Sequence, residues 1–515
     1  MATRKDGRQS GKGKSDRKPA AGREAPSRAD ARRKRPGGSG DKDGSAGKAP
    51  SAGKTPPAKA PAAEAAPAGA AQSGAGHSDA AQAGAAPGSA FPASVDRAPA
   101  AVPVAPASVS PADREVLRRL AARVAELAAR EIEKDKAALW TAHNDLQKVR
   151  PLIFCDPEGA WREILPQESL ECTGEVARGW EWHLRREIFW GEQMRDDRVI
   201  QPYFDVGHVA AVTGWGLEEK YTRTDSLGSH VWEAPVKDLG DLSLLRFPTV
   251  SLDQEATRRR LELAQEVLGD LLRVRLRGSW YWTLGLTWEL IKLRGLEQMM
   301  IDMYDNPAGL HRLMAFLRDG TMAKINFLEA QGLYSLNNEG DYVGSGGFGW
   351  TRQLPAPGFD GGVRTRDLWC LAESQETVGV SPEMFEEFVF RYQLPLVERF
   401  GLVCYGCCEP VHGRWGVIRR IPNLRRVSVS PWADRATMAE NLQDRYVYSL
   451  KPHPGMLAQE RFHEDQVRAD ARDALDKTRC CHLELIMKDN HTIRGDPTRV
   501  TRWVRIVREE IERRC

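Results

Sequence analysis

Between Asp367 and Cys407 the chain reads "DLWCLAESQETVGVSPEMFEEFVFRYQLPLVERFGLVCYGC". A short apolar run, 367–373, ends in a polar cluster. Ser381 and Pro382 then open a stretch of helical spacing that closes at Gly401, and a second apolar run follows over 401–407. A serine cap, a proline in the first turn and a glycine at the end are the usual punctuation of a helix. Strand, helix, strand is the grammar of a parallel crossover.

Outward from this unit the pattern repeats. Strands are expected at "PLIF" 151, "IQPYFDV" 200, "LLRVRLRG" 271, "LYSLNN" 333, "LRRVSVS" 424, "YVYSLKP" 446 and "HLELIMK" 482. Helices are expected at 306–332, 434–443 and 496–514. Such alternation through one body predicts an α/β fold, a (β/α)8 TIM barrel, in preference to a doubly wound sheet. No dinucleotide or phosphate-loop glycine fingerprint follows the first strand. The glycine-rich "GSGGFGW" at 344–350 precedes no helix start and reads as a loop over the barrel mouth.

The chain has 515 residues and a formal charge of +3, unevenly spread. Residues 1–110 are Ala, Pro, Gly and Ser with scattered Lys and Arg, and Phe91 is their only aromatic residue. Such a segment buries too little apolar surface to offset the entropy of ordering, so a disordered basic tail is expected. The body, 111–515, is then mildly acidic, and it opens with "REVLRRLAARVAELAAREIEKDKAALW", read as one long amphipathic helix. The tail is expected to be a solubilising extension, with nucleic-acid contact not anticipated. No apolar core follows its charges as in a secretory signal, and no run reaches the ~20 apolar residues of a membrane span. Nine cysteines, including the adjacent pairs Cys407-Cys408 and Cys480-Cys481, do not resemble a secreted disulfide framework, so a reducing cytoplasm is expected. Oligomeric state is not encoded in any pattern here.

In a barrel, chemistry sits where strands hand over to loops. Those positions hold Asn338, Glu339 and Asp341; Glu373, Ser374, Gln375 and Glu376; Cys407, Cys408, Glu409 and His412; Ser430, Trp432 and Asp434; Lys451 and His453; and Lys488, Asp489, Asn490 and His491. Thiolate, imidazole and carboxylate are natural ligands of Zn2+. Cys407, Cys408, Glu409 and His412, with His491 from a neighbouring strand end, are therefore candidate metal ligands. The same cluster also reads as a nucleophilic cysteine with His412 as its base, or as buried strand-end cysteines with no chemical role.

The stretches "LTWELIKLRGLEQMMIDMYDNPAGLHRLM", "LAESQETVGVSPEMFEEFVFRYQLPLVERFG" and "LVCYGCCEPVH" resemble the uroporphyrinogen decarboxylase-like superfamily over roughly residues 112–515. That resemblance implies a (β/α)8 barrel. It points toward the zinc-dependent methyltransferases that work with corrinoid proteins, since no "RQAGRY"-like motif stands near the first strand. Cys407 falls on the family's thiol ligand, whereas Tyr405 stands at its histidine and Asn490-His491 at its final cysteine. The implied reaction moves a methyl group between a small substrate or thiol and a corrinoid. No D-x-H-x-x-G cobalamin motif occurs, so the corrinoid would ride on a separate protein. In that reading Glu373, Glu376 and Asp341 bind or protonate substrate, Lys451 and Lys488 hold an anionic group, and Asn338, Gln375, Trp432 and Asn490 line the site. The alternatives are a metal-free decarboxylase of a tetrapyrrole or other polycarboxylic acid, and a non-catalytic barrel acting as a binding module.

Overall fold

The computed structural model describes residues 108–217, 220–223 and 230–514. The proposed tail lies outside them, apart from its last three residues, as does Cys515. Ser110 caps the first helix, Pro111–Ala128, by accepting from the Asp113 amide at 3.0 Å. The single long helix expected here is two helices. The chain breaks at Ala129-Arg130 and restarts as Glu131–Asn144. Arg130 is extended, and its guanidinium donates to the carbonyls of Leu127 (3.1 Å) and Gly191 (2.8 Å). Tertiary contacts thus override a sequence with continuous helical spacing.

Eight principal strands follow: β1 Leu152–Cys155, β2 Tyr203–Gly207, β3 Arg273–Arg277, β4 Trp369–Ala372, β5 Leu402–Tyr405, β6 Leu424–Val429, β7 Val447–Leu450 and β8 His482–Met487. Six form one parallel sheet in the order β1-β8-β7-β6-β5-β4, and β2 pairs in parallel with β3. The fold is therefore mixed α/β with helical crossovers between parallel strands.

Among the described residues no backbone ladder joins β1 to β2 or β3 to β4. Side chains bridge both gaps. In the segment leading into β2, the Asp197 carboxylate accepts from the Ile153 amide (2.8 Å) and the Asp196 carboxylate from the Cys155 amide (3.0 Å). At the other gap, the expected strand 333–338 has no ladder. Asn337 instead grips β4 twice, accepting from the Trp369 amide (2.9 Å) and donating to its carbonyl (3.1 Å). Arg277 of β3 donates to the Leu336 carbonyl at 2.6 Å.

The helix grammar is obeyed elsewhere. Asn306 caps Pro307–Ala330, Ser381 caps the helical run that begins at Pro382, and Asp434 caps Arg435–Leu442. One face of the six-stranded sheet carries Ile153, Val403, Val427, Val429, Leu450, Leu483 and Leu485, buried in the main core. Each such side chain contributes about 1.5–3 kcal/mol relative to exposure. Among the described helices, none is long and apolar enough to cross a membrane.

"GSGGFGW" is not a plain loop. Tyr342–Val343 and Gly347–Phe348 form a small antiparallel hairpin packed on the other face of the sheet. A Cβ on Gly347 would lie 2.4 Å from Cζ of Arg426, and one on Gly344 (φ 73°) would lie 2.7 Å from Sγ of Cys404. Glycine is needed because the hairpin backbone touches strand side chains directly. Phe348 closes the contact against Phe154 (4.7 Å) and Trp140 (5.1 Å).

Candidate active site

Side chains on a strand alternate between faces, and the face bearing the hairpin is markedly polar. It carries Arg426 and Ser428 on β6, Ser449 on β7 and Glu484 on β8, with Ser428 opposite Ser449 and Ser449 opposite Glu484. Ser430, Lys451 and Lys488 continue the same alternation just beyond the strand ends. Glu484 is fully enclosed; it forms an ion pair with Nε of Arg426 at 3.0 Å and meets Nε2 of His143 (3.1 Å) and the Ser449 hydroxyl. Burial raises its carboxyl, but Arg426 first, then His143 and Lys451, bring it down to about 2. Lys451 donates to Oγ (2.6 Å) and O (3.3 Å) of Ser449, and burial pushes its ammonium down to about 8.

Above this network stands Cys407, 5% exposed. Its sulfur accepts from the Ser345 hydroxyl at 3.4 Å and lies 3.6 Å from the Cys408 sulfur. The hydrogen bond from Cys408, followed by the charge of Lys488, holds the Cys407 thiol below its ordinary value against burial, while Cys408 is driven upward. Lys488 lies 3.4 Å from both Glu158 and Asp489 and donates to Ser345 at 3.5 Å. Burial works against its charge, yet Asp489 and Glu158 hold it well above the usual lysine range. Glu158 itself is pushed by burial to about 8.

The five expected metal ligands do not converge. Glu409 is enclosed and spent on the amides of Ser374 (2.8 Å) and Cys407 (2.9 Å), which fixes the loop after β5. His412 accepts from the Asp434 amide through Nδ1 at 3.2 Å. His491 is exposed on the loop after β8. Among the described residues no group of three or more His, Cys, Asp and Glu is arranged to hold a metal ion. Of the five candidate ligands, Cys407 and Cys408 lie together, their sulfurs 3.6 Å apart.

The other expected residues divide. Glu373 is fully buried at the end of β4, and burial, then Glu376 and Glu409, hold its carboxyl well above the usual range. Glu376 is raised by burial and accepts from the Thr287 hydroxyl at 2.6 Å and from Gln375 at 3.3 Å. Asp341 is raised by burial but pairs with Arg277. Asn338 is a tie to the Leu354 carbonyl (2.7 Å), and Asn490 is a tie to the Asp156 carbonyl (2.7 Å). Trp432 is 65% exposed and meets His453 edge-on at 5.3 Å.

Several buried polar atoms at the strand ends have no protein partner: Oε1 of Glu373, Oε1 of Gln375, Oγ of Ser430 and Oδ1 of Asn490. An unsatisfied buried group costs about 1–3 kcal/mol. Their gathering at the C-terminal ends of β4, β6 and β8 marks where a ligand or water completes the structure. Sequence reasoning about loop starts missed Glu158, Ser345, Arg426, Ser449 and Glu484. The signal for three of them was present. "LRRVSVS", "YVYSLKP" and "HLELIMK" each carry polar residues at period two inside otherwise apolar strands.

No family model matches the chain, and no curated protein matches it. Among solved structures it is similar to a methyltransferase from Methanosarcina mazei, with a TM-score of 0.41 and 11% sequence identity, covering 73% of this chain and 98% of that one. A likeness this loose carries no argument about the fold or the activity.

Proposed function

We propose that the chain is a (β/α)8-barrel enzyme of small-molecule group transfer in which the Cys407 sulfur is the reacting atom. The observation that carries this reading is one buried sulfur with the Ser345 hydroxyl donating to it at 3.4 Å and the Cys408 sulfur at 3.6 Å, beside the Lys488 ammonium. That setting stabilises a thiolate, and a thiolate is the reactive form. The barrel reading is supported by the bridging of both ladder gaps through Asp196, Asp197 and Asn337.

A methyl group is the cargo that the uroporphyrinogen decarboxylase-like resemblance implies. The Cys407 thiolate attacks the methyl carbon of the donor. A carbon–sulfur bond forms, the carbon–heteroatom bond breaks, and its electron pair leaves with the heteroatom. Glu373, kept neutral by burial, supplies a proton to that leaving group. No step runs through a metal. The decarboxylase alternative needs several arginines converging on a polyanion. Here Arg275 is paired with Asp205 at 2.7 Å, Arg277 with Asp341, and Arg426 with Glu484 at 3.0 Å.

The test is methylation by a limiting amount of methyl 4-nitrobenzenesulfonate near neutral pH, followed by peptide mass mapping. Cys407 should gain the methyl group ahead of the exposed Cys480. Methylation of Cys480 alone would defeat the reading.

A further inference from the structure

We infer that Lys451 and Ser430 together seat a carboxylate of the substrate beside Cys407, an inference that rests on the reading of Cys407 as the reacting atom. The hydroxyl of Ser430 is fully buried and has no partner. Lys451 is 3% exposed, and the only acceptors it has among the described residues are two atoms of Ser449. An ammonium carries three donor hydrogens, so one is left without a protein acceptor. Among the described residues no carboxylate lies within ion-pair distance of Lys451, although the charge of Glu484 acts on it, whereas Arg426 and Lys488 each have a carboxylate, at 3.0 and 3.4 Å. A buried ammonium with a donor hydrogen left unmade is costly unless a bound group accepts it.

The two vacancies are adjacent. Ser428 on β6 lies opposite Ser449 on β7, so Ser430 and Lys451 are the next pair in the same register, and the Lys451 amide donates to the Val429 carbonyl at 2.9 Å. Cys407 is close by: Ser428, two residues before Ser430 on the same face, donates to the Cys407 carbonyl at 3.2 Å, and the charge on Cys407 acts on Lys451. One ammonium hydrogen and one hydroxyl match the two oxygens of a carboxylate. A phosphate dianion would call for more donors than this pair offers. The substrate class is thus a small molecule carrying its transferable group near a carboxylate.

The experiment compares alkylation by iodoacetate and iodoacetamide, which share a reacting carbon and differ in carboxylate against amide. Peptide mapping gives the rate ratio of the two reagents at Cys407 and, in the same molecule, at exposed Cys480. The ratio at Cys407 should exceed that at Cys480 by about tenfold or more, the worth of one charge-assisted hydrogen bond. Lys451→Gln should bring it down to the Cys480 value, and Ser430→Ala should lower it part of the way. Equal ratios at the two cysteines of the unmodified chain, or a Cys407 ratio untouched by Lys451→Gln, overturn the carboxylate seat and leave the Cys407 reading standing. Failure of both reagents at Cys407 overturns both.

Discussion

The Ser345 hydroxyl donates to the Cys407 sulfur at 3.4 Å across 62 residues of chain. Ser345 sits at the tip of a hairpin whose glycines let it lie flat on the sheet, and Cys407 sits just past β5. The contact joins two motifs that are separate in the sequence, and the Cys408 sulfur lies 3.6 Å from that of Cys407.

Removing the second donor should weaken that thiolate. In Cys408→Ala the hydrogen bond that lowers Cys407 is lost, so the midpoint of its alkylation rate against pH moves upward. The pH–rate profile for iodoacetamide, read at the Cys407 peptide, is the check. An unmoved midpoint would assign the lowering to Lys488 instead.

Glu484 should link stability to acid. Its carboxyl is held at about 2 in the fold against an ordinary 4.5, so the folded state binds its proton more weakly than the unfolded chain does. The contribution is complete above the unfolded value and disappears as pH falls from about 4.5 through about 2. Glu484→Gln strands Arg426 and should cost about 3–5 kcal/mol at neutral pH. Urea denaturation at several pH values should show the loss shrinking toward the acid end of that window.

Two neighbouring glutamates should respond differently to the same change. Glu409 accepts from two buried amides, so Glu409→Gln replaces an acceptor oxygen by a donor and should cost about 1–3 kcal/mol. Burial holds the Glu373 carboxyl well above its usual range, and one oxygen is unpartnered. Glu373→Gln should stay within about 1 kcal/mol of the unmodified protein. Paired chemical melts measure both, and a larger loss for Glu373 would mean that it is charged in the fold.

The hairpin glycines make a steric prediction. Gly347→Ala forces a methyl group against Arg426, at 2.4 Å from Cζ, and should destabilise by about 1–3 kcal/mol. Gly379→Ala, where an added Cβ meets nothing within 4 Å, should be close to neutral. Thermal unfolding of the two variants separates them.

Local physics carried the elements. Caps at Asn306, Ser381 and Asp434 and the apolar runs located helices and strands because those signals act over a few residues. Period-two polarity in "HLELIMK" is a local signal for the polar face that holds Glu484, although strand-end reasoning passed over it. What distance in the chain concealed was partnership. Whether Cys407 meets His412 or Ser345, and whether Glu409 binds a metal or two amides, depends on how loops leave the sheet. The break at Arg130 and the burial of "GSGGFGW" have the same origin, since each is set by a group that arrives from elsewhere in the chain: Gly191 for the first, Arg426 and Cys404 for the second. The sequence by itself determined the alternation of strands and helices and the strand ends that hold the reactive residues. Only the tertiary structure decided which of those residues face one another, because long-range packing and hydrogen bonding set that choice.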